Sequence, residues 1–144
     1  STPYNATSMW YKAFQCKEVM LKYAHIHNVE YACVFRMRPD VVYNTNINLD
    51  MVKESITNNY IYMSKWHGKY GSVTLEMQDQ FAFGSPEVMC IYLDTYSNIK
   101  HYIENNDLVH TGEGFLHEQI KNINLKRIDF SYSIQRWDKI DNIT

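Results

Sequence analysis

The stretch Tyr31-Ala32-Cys33-Val34-Phe35-Arg36-Met37-Arg38-Pro39-Asp40 decides the reading of the fold. Cys33, Phe35 and Met37 alternate with Val34, Arg36 and Arg38, which is the two-residue period of a β-strand. Pro39 cannot donate to a strand ladder and ends it. A buried strand is expected here, with two arginines on one face and Asp40 at its carboxyl end, where open α/β sheets place their ligands. A buried guanidinium needs an anion, because removing one partner of a buried ion pair costs about 3–5 kcal/mol. Two readings stay open: the arginines pair with acids such as Asp79 or Glu113 and brace the sheet, or they face an anionic ligand.

Upstream, Trp10, Ala13, Phe14, Met20, Leu21 and Ala24 recur at three- and four-residue spacing, which predicts an amphipathic helix from Ser8 to about Asn28. Downstream, Leu49 to Ile56 is read as one or two helical turns, Tyr60 to Met63 as a short strand, and Trp66 to Gly71 as a glycine-bearing loop. Gln80-Phe81-Ala82-Phe83 reads as a second buried strand. Ser85-Pro86-Glu87 then opens a helix with a capping hydroxyl, a first-turn proline and an acid against the dipole. That helix is expected to run to Glu104. Thr111-Gly112-Glu113 opens another, Ile128 to Ile134 alternates as a last strand, and Trp137 to Thr144 is a polar tail. Strands interleaved with helices give an α/β class. Crossovers of this length predict a mixed, mainly parallel sheet with strands 34–38, 81–83 and 128–134 on its inside.

The chain of 144 residues is one domain's worth, with 45% hydrophobic and 21% charged residues, so disordered and fibrous classes fall away. Fourteen Lys and Arg against 16 Asp and Glu leave a net charge of -2, which gives no footprint for gripping a nucleic-acid backbone. The longest apolar runs, such as Ile91-Tyr92-Leu93, are too short for a membrane span. Cys16, Cys33 and Cys90 are odd in number and widely spaced, which suits neither a disulfide framework nor a zinc site and points to a reducing, cytoplasmic setting. The sequons at Asn5 and Asn142 would matter only in a secreted chain.

Three carboxylates stand at the mouths of regular elements: Asp40 after its strand, Asp79 before the Phe81 strand, and Glu113 in the first turn of a helix. Singly, each has a plain structural use as a turn or dipole residue. Together they occupy the places where α/β scaffolds collect their sites. Among the six histidines no HExxH occurs, and His110, three residues before Glu113, is the one placed to touch a metal or a phosphate. GxSxG, Walker and GxGxxG patterns are missing, which leaves hydrolase-elbow, nucleotide-triphosphatase and dinucleotide-dehydrogenase readings without support. Trp66 and Tyr70 flank a glycine loop and could stack on a sugar ring or close over the core.

The order helix, Arg36-Met37-Arg38-Pro39-Asp40, Asp79-Gln80-Phe81-Ala82-Phe83-Gly84-Ser85-Pro86-Glu87 and Gly112-Glu113-Gly114-Phe115-Leu116 resembles GT-A-type glycosyltransferase-like proteins of large DNA viruses, bacteria and plants. The resemblance spans about residues 10 to 135. It implies a GT-A-like fold, of which this chain would form the C-terminal portion, with the nucleotide-holding half expected upstream of Ser1. It also implies transfer of a sugar from a nucleotide-sugar donor to a glycan or protein acceptor. Arg36, Arg38 and Asp40 would then bind the donor, and Asp40 would hold Mn²⁺ or Mg²⁺, assisted by His110. Glu113 would be the catalytic base, with Asp79, near the acceptor, as second choice for that role. The first acid of the family's DxD motif is replaced here by Arg38. The competing reading is a non-catalytic sugar- or protein-binding scaffold of the same fold.

Overall fold

The computed structural model describes residues 3–44, 46–65, 68–70, 73–75, 79–105, 111–129 and 132–134. In chain order their elements are α1 (Pro3–His27), β1 (Val34–Met37), β2 (Val41–Tyr43), α2 (Leu49–Asn58), β3 (Ile61–Ser64), β4 (Gly68–Tyr70), β5 (Val73–Leu75), β6 (Phe81–Gly84), α3 (Pro86–Leu93), α4 (Thr95–Asn105), α5 (Gly112–Ile120), β7 (Leu125–Ile128) and β8 (Tyr132–Ile134). The α/β class therefore holds. No helix among the described residues is long and apolar enough to cross a membrane.

The main sheet has four strands in the order β1-β6-β3-β7, and β2-β8 and β4-β5 form separate two-stranded ladders. β1–β6 and β3–β6 pair antiparallel, while β3–β7 pairs parallel. The expected mainly parallel sheet is thus corrected to a mixed sheet in which most pairings are antiparallel. Helical crossovers force parallel pairing only between the strands they join. Here α3, α4 and α5 lie between β6 and β7, which are not neighbours. The expected inner strands are corrected too: β6 is internal, but β1 and β7 are the two edges, and the segment 128–134 is split between β7 and β8.

The pleat sorts the side chains into two cores. Val34, Ile61, Met63 and Ala82 face the layer of α1, α3, α4 and α5, where they pack with Trp10, Met89, Tyr92, Ile99 and Phe115. Tyr62, Phe81 and Phe83 face the other way, toward Met51 and Val52 of α2. On that second face Phe35, Phe83 and Tyr62, paired across β1, β6 and β3, stack with centroids 5.0 Å apart in each step. Aromatic cross-strand pairs of this kind contribute about 0.2–1 kcal/mol each. Phe35 was expected to be buried; it is 42% exposed because it ends that stack on an edge strand.

Helix ends follow local chemistry. Asn28 and Asn59 adopt φ of 51°, the left-handed conformation that asparagine tolerates best after glycine, and close α1 and α2. Thr111 caps α5 as expected, its hydroxyl accepting from the Gly114 N–H at 3.1 Å. Pro86 and Glu87 open α3 as read, but the Ser85 hydroxyl donates to Asn59 Oδ1 at 3.0 Å instead of capping. The single helix expected through Glu104 breaks at Asp94. Its carboxylate accepts from Ser97 Oγ at 3.0 Å and from Lys17 Nζ at 2.6 Å, so a polar side chain restarts the helix and ties it to α1. Gly68 to Tyr70, read within a loop, form β4. Trp66, His67, Gly71 and the tail from Trp137 lie outside the described residues.

Gly84 sits where β6 passes between the backbone of Tyr60 and α3. A Cβ there would lie 2.9 Å from the Tyr60 carbonyl oxygen and 2.9 Å from Val88 Cγ2. Overpacking of this kind costs about 1–3 kcal/mol. Gly84→Ala is therefore expected to lower the urea denaturation midpoint with little change in slope; an unchanged midpoint would show that β3 and α3 yield freely.

Candidate functional site

At the end of the sheet where β1 finishes and β6 begins, a cavity of ≈ 990 Å³ opens beneath α1 and beside the start of α5. Its position follows from register. Arg36 lies directly opposite Ala82 in the β1–β6 ladder, so its side chain shares the helix-covered face; Arg38 and Gln80, two residues further along each strand, lie beyond the last ladder pair, Met37 and Phe81. The apolar layer of α1 and α3 cannot fill the space over these long polar side chains. The ladder is prolonged by Tyr43, whose phenol donates to the Gln80 carbonyl at 2.9 Å and accepts from the Arg38 N–H at 3.2 Å.

Four residues singled out in the sequence line this one cavity: Arg36, Arg38, Asp79 and Glu113. Asp79 is 7% exposed. Its Oδ2 lies 3.7 Å from the point a Cβ on Gly112 would occupy, which sets it against the first turn of α5. Glu113, half-buried, is in that first turn, where the helix dipole favours a negative charge. The end of α5 is anchored by Trp10, which is completely buried and donates its indole N–H to the Gly112 carbonyl at 3.0 Å. The cavity thus has a guanidinium wall from β1 and a carboxylate wall from Asp79 and α5.

Asp40 is not among the residues lining the cavity. Its carboxylate accepts two hydrogen bonds from Arg38, Nε to Oδ1 at 2.9 Å and Nη2 to Oδ2 at 2.5 Å. This bidentate pair holds the Asp40 carboxyl below its ordinary value, with burial opposing and the charges of Arg38 and Arg36 adding. The same hydrogen bonds raise the Arg38 guanidinium, against the effect of burial, and the Asp79 charge adds to the shift. Arg38 therefore meets its anion within β1's own turn. Arg36 does not: its Nη1 is buried without a hydrogen-bond partner among the described residues.

Among the described residues no three His, Cys, Asp or Glu side chains are placed together as they would be to hold Mn²⁺ or Mg²⁺, and both Asp40 oxygens are engaged by Arg38. His110 lies outside the described residues.

No family model, curated protein or solved structure matches this chain.

Three residues near this end of the sheet were not singled out in the sequence: Gln80, which lines the cavity, and Tyr43 and Tyr92, which are not among its lining residues. Gln80 precedes a strand like any turn residue, and only its register beside Arg38 brings it into the cavity. Tyr43 is marked by nothing local, since both its partners are set by the pairing of β1 with β6. Tyr92 lies in the apolar stripe of α3 with Met89 and Leu93, where a phenol is indistinguishable from a core ring.

The Arg38–Asp40 pair carries a pH signature. A carboxyl whose folded-state value is depressed contributes stability that is fully present above its ordinary value of 3.8 and is lost as pH falls through the lower folded value. Asp40→Asn is expected to cost less than about 1 kcal/mol near neutrality, because the pair is partly open to solvent. The gap between wild type and variant in chemical denaturation should stay constant above 3.8, narrow as pH falls below it, and be gone once pH is under the folded-state value. A gap that persists in acid would assign the effect to packing.

Proposed function

We propose that the cavity is the catalytic centre of a glycosyltransferase, built on a GT-A-like sheet, that moves a sugar from a nucleotide-sugar donor to a hydroxyl of a glycan or protein acceptor. The observation that carries the reading is the convergence of Arg36, Arg38, Asp79 and Glu113, contributed by three separate parts of the chain, on a single cavity large enough for a small-molecule ligand.

The chemistry asks for two things. The diphosphate that leaves as the glycosidic bond breaks must be met by positive charge, and the guanidinium wall supplies it. Arg36 is the stronger candidate, since Arg38 already holds Asp40. The acceptor hydroxyl must lose its proton as its oxygen attacks, and a carboxylate on the opposite wall can take it. Glu113 is assigned that role because it stands in the first turn of α5 and lines the cavity together with the two arginines, and Asp79, deeper in the wall, is assigned to orient the acceptor.

A second reading, a non-catalytic sugar- or protein-binding module of the same fold, draws on one observation: Arg38 and Asp40, the donor-binding pair of the first reading, satisfy each other.

Glu113→Gln separates the two. Loss of a general base typically lowers turnover about 10²–10⁴-fold. In the intact protein, sugar transfer from a panel of nucleotide sugars is expected to fall by that factor while affinity for uridine or guanosine diphosphate and the melting temperature stay close to wild type. Unchanged transfer would remove Glu113 from the chemistry, and a lower melting temperature with unchanged transfer would make it a helix-start residue only.

A further inference from the structure

β1 is an edge of the main sheet, paired with β6 on one side and with no strand on the other among the described residues. An edge strand presents a row of unpaired N–H and C=O groups, which natural proteins blunt with charge, proline or a covering element. Here the two exposed side chains of the strand are apolar: Phe35 is 42% and Met37 52% exposed. Pro39 comes only after the ladder has ended.

The cavity runs along this edge. Successive residues of a strand point to opposite faces of its sheet, so a recess confined to the helix-covered face would touch Val34, Arg36 and Arg38 alone. Phe35, Met37 and Pro39 line it as well, which places it along the open side of β1. Its far wall is α1. There a second recess of ≈ 750 Å³, bounded by Val19, Tyr23 and Tyr31, shares Lys12, Cys16 and Met20 with the first. One groove thus leads from Gly112 and Glu113, past the edge of β1, to Tyr31.

We propose that this groove takes an extended polypeptide segment, which adds to β1 as a further strand of the sheet and sets an acidic residue against Lys12. Another strand brings N–H and C=O groups at the spacing of those on β1, and its alternate side chains find separate surroundings. Those on one face meet Met20 and Tyr31, and those on the other lie beside Phe35 and Met37. Charge selects the segment. Away from Asp79 and Glu113 the charged groups lining the groove are Lys12, Arg36 and Arg38. Arg38 is held by Asp40 and Arg36 is assigned to the diphosphate, which leaves the exposed Lys12 for a partner's carboxylate. A second copy of this chain would add a strand, Cys33 to Pro39, that carries two arginines and no acid to a groove already cationic. The inference deepens the transferase reading by making the acceptor a protein, because the groove ends at Glu113. It rests on that reading for the transfer alone; strand addition depends on β1.

The probes are acetylated, amidated peptides of about seven residues, at about 3.3 Å each, in which Val or Tyr alternates with Ser or Thr and Glu takes each polar position in turn. Binding is read by protein-observed NMR and by protection from iodoacetamide of Cys16, which is exposed and common to both recesses. At least one Glu peptide is expected to bind and protect Cys16. Methylating alternate peptide nitrogens removes donors from one edge of the peptide only. Of the two alternate patterns, one should weaken binding more than about tenfold and the other leave it unchanged. Lys12→Glu should raise Kd for the Glu peptide about two- to fivefold and lower it by a similar factor for the matching Lys peptide. No peptide binding, or an equal effect of both methylation patterns, overturns strand addition. An indifferent Lys12→Glu overturns the place given to the acid. A concentration-dependent dimer that Met37→Lys dissociates assigns the edge to a second copy and overturns the proposal. Sugar transfer to glycans without peptide binding overturns the groove and leaves the transferase standing. Peptide binding without transfer to its Ser or Thr retains the groove and counts against the transferase.

Discussion

Pairing of β1 with β6, which sets Arg36 opposite Ala82, is the constraint on which the rest of the structure depends. A slip of one residue would turn Arg36 toward α2 and bring Phe35 under α1, exchanging the contents of both cores. The stacked rings of Phe35, Phe83 and Tyr62 resist that slip from one face, and the close approach of Gly84 to Tyr60 and Val88 resists it from the other. Beyond the last ladder pair Tyr43 holds Arg38 and Gln80 at fixed separation through its single oxygen. The two strands are thereby tied together past Met37 and Phe81, where their ladder ends.

Charge is distributed along this end so that one guanidinium is neutralised locally and the other is not. Arg38 and Asp40 are two residues apart and satisfy each other across the turn that Pro39 introduces. Arg36, one pleat earlier, is half-buried, lines the space beneath α1 with Asp79 and Glu113, and has its Nη1 without a partner among the described residues.

How much of this was legible in the sequence depended on whether the signal was local. The strand around Arg36, the helix start at Thr111 and the turn of period at Phe81 are written within a few residues, and they were readable. So was the nearness of Arg36 and Arg38 to Asp79 and Glu113, since arginines on a buried strand face need anions and the two carboxylates stand at the mouths of elements. Sheet order was not readable: nothing near Val34 or Leu125 says that β1 and β7 are edges. The break at Asp94 depends on Lys17 from another helix, and the placement of Gln80 and Tyr92 depends on which neighbours their elements acquire. The exposure of Phe35 has the same origin, because an edge strand reads like an inner one until its partners are known.

The indole of Trp10 and the carbonyl of Gly112, joined by one buried hydrogen bond, are separated by 102 positions in the chain. This bond sets a timetable. As the polypeptide emerges from its amino end, α1 exists long before the segment that receives its tryptophan, and until then it has only α3 and α4 to rest on. The recess beneath it cannot take shape until Gly112 and Glu113, more than three-quarters of the way along these 144 residues, have been made. A newborn chain halted short of that point would carry both arginines and only part of the recess, so a ligand that needs the whole recess reads the joining of α1 to α5.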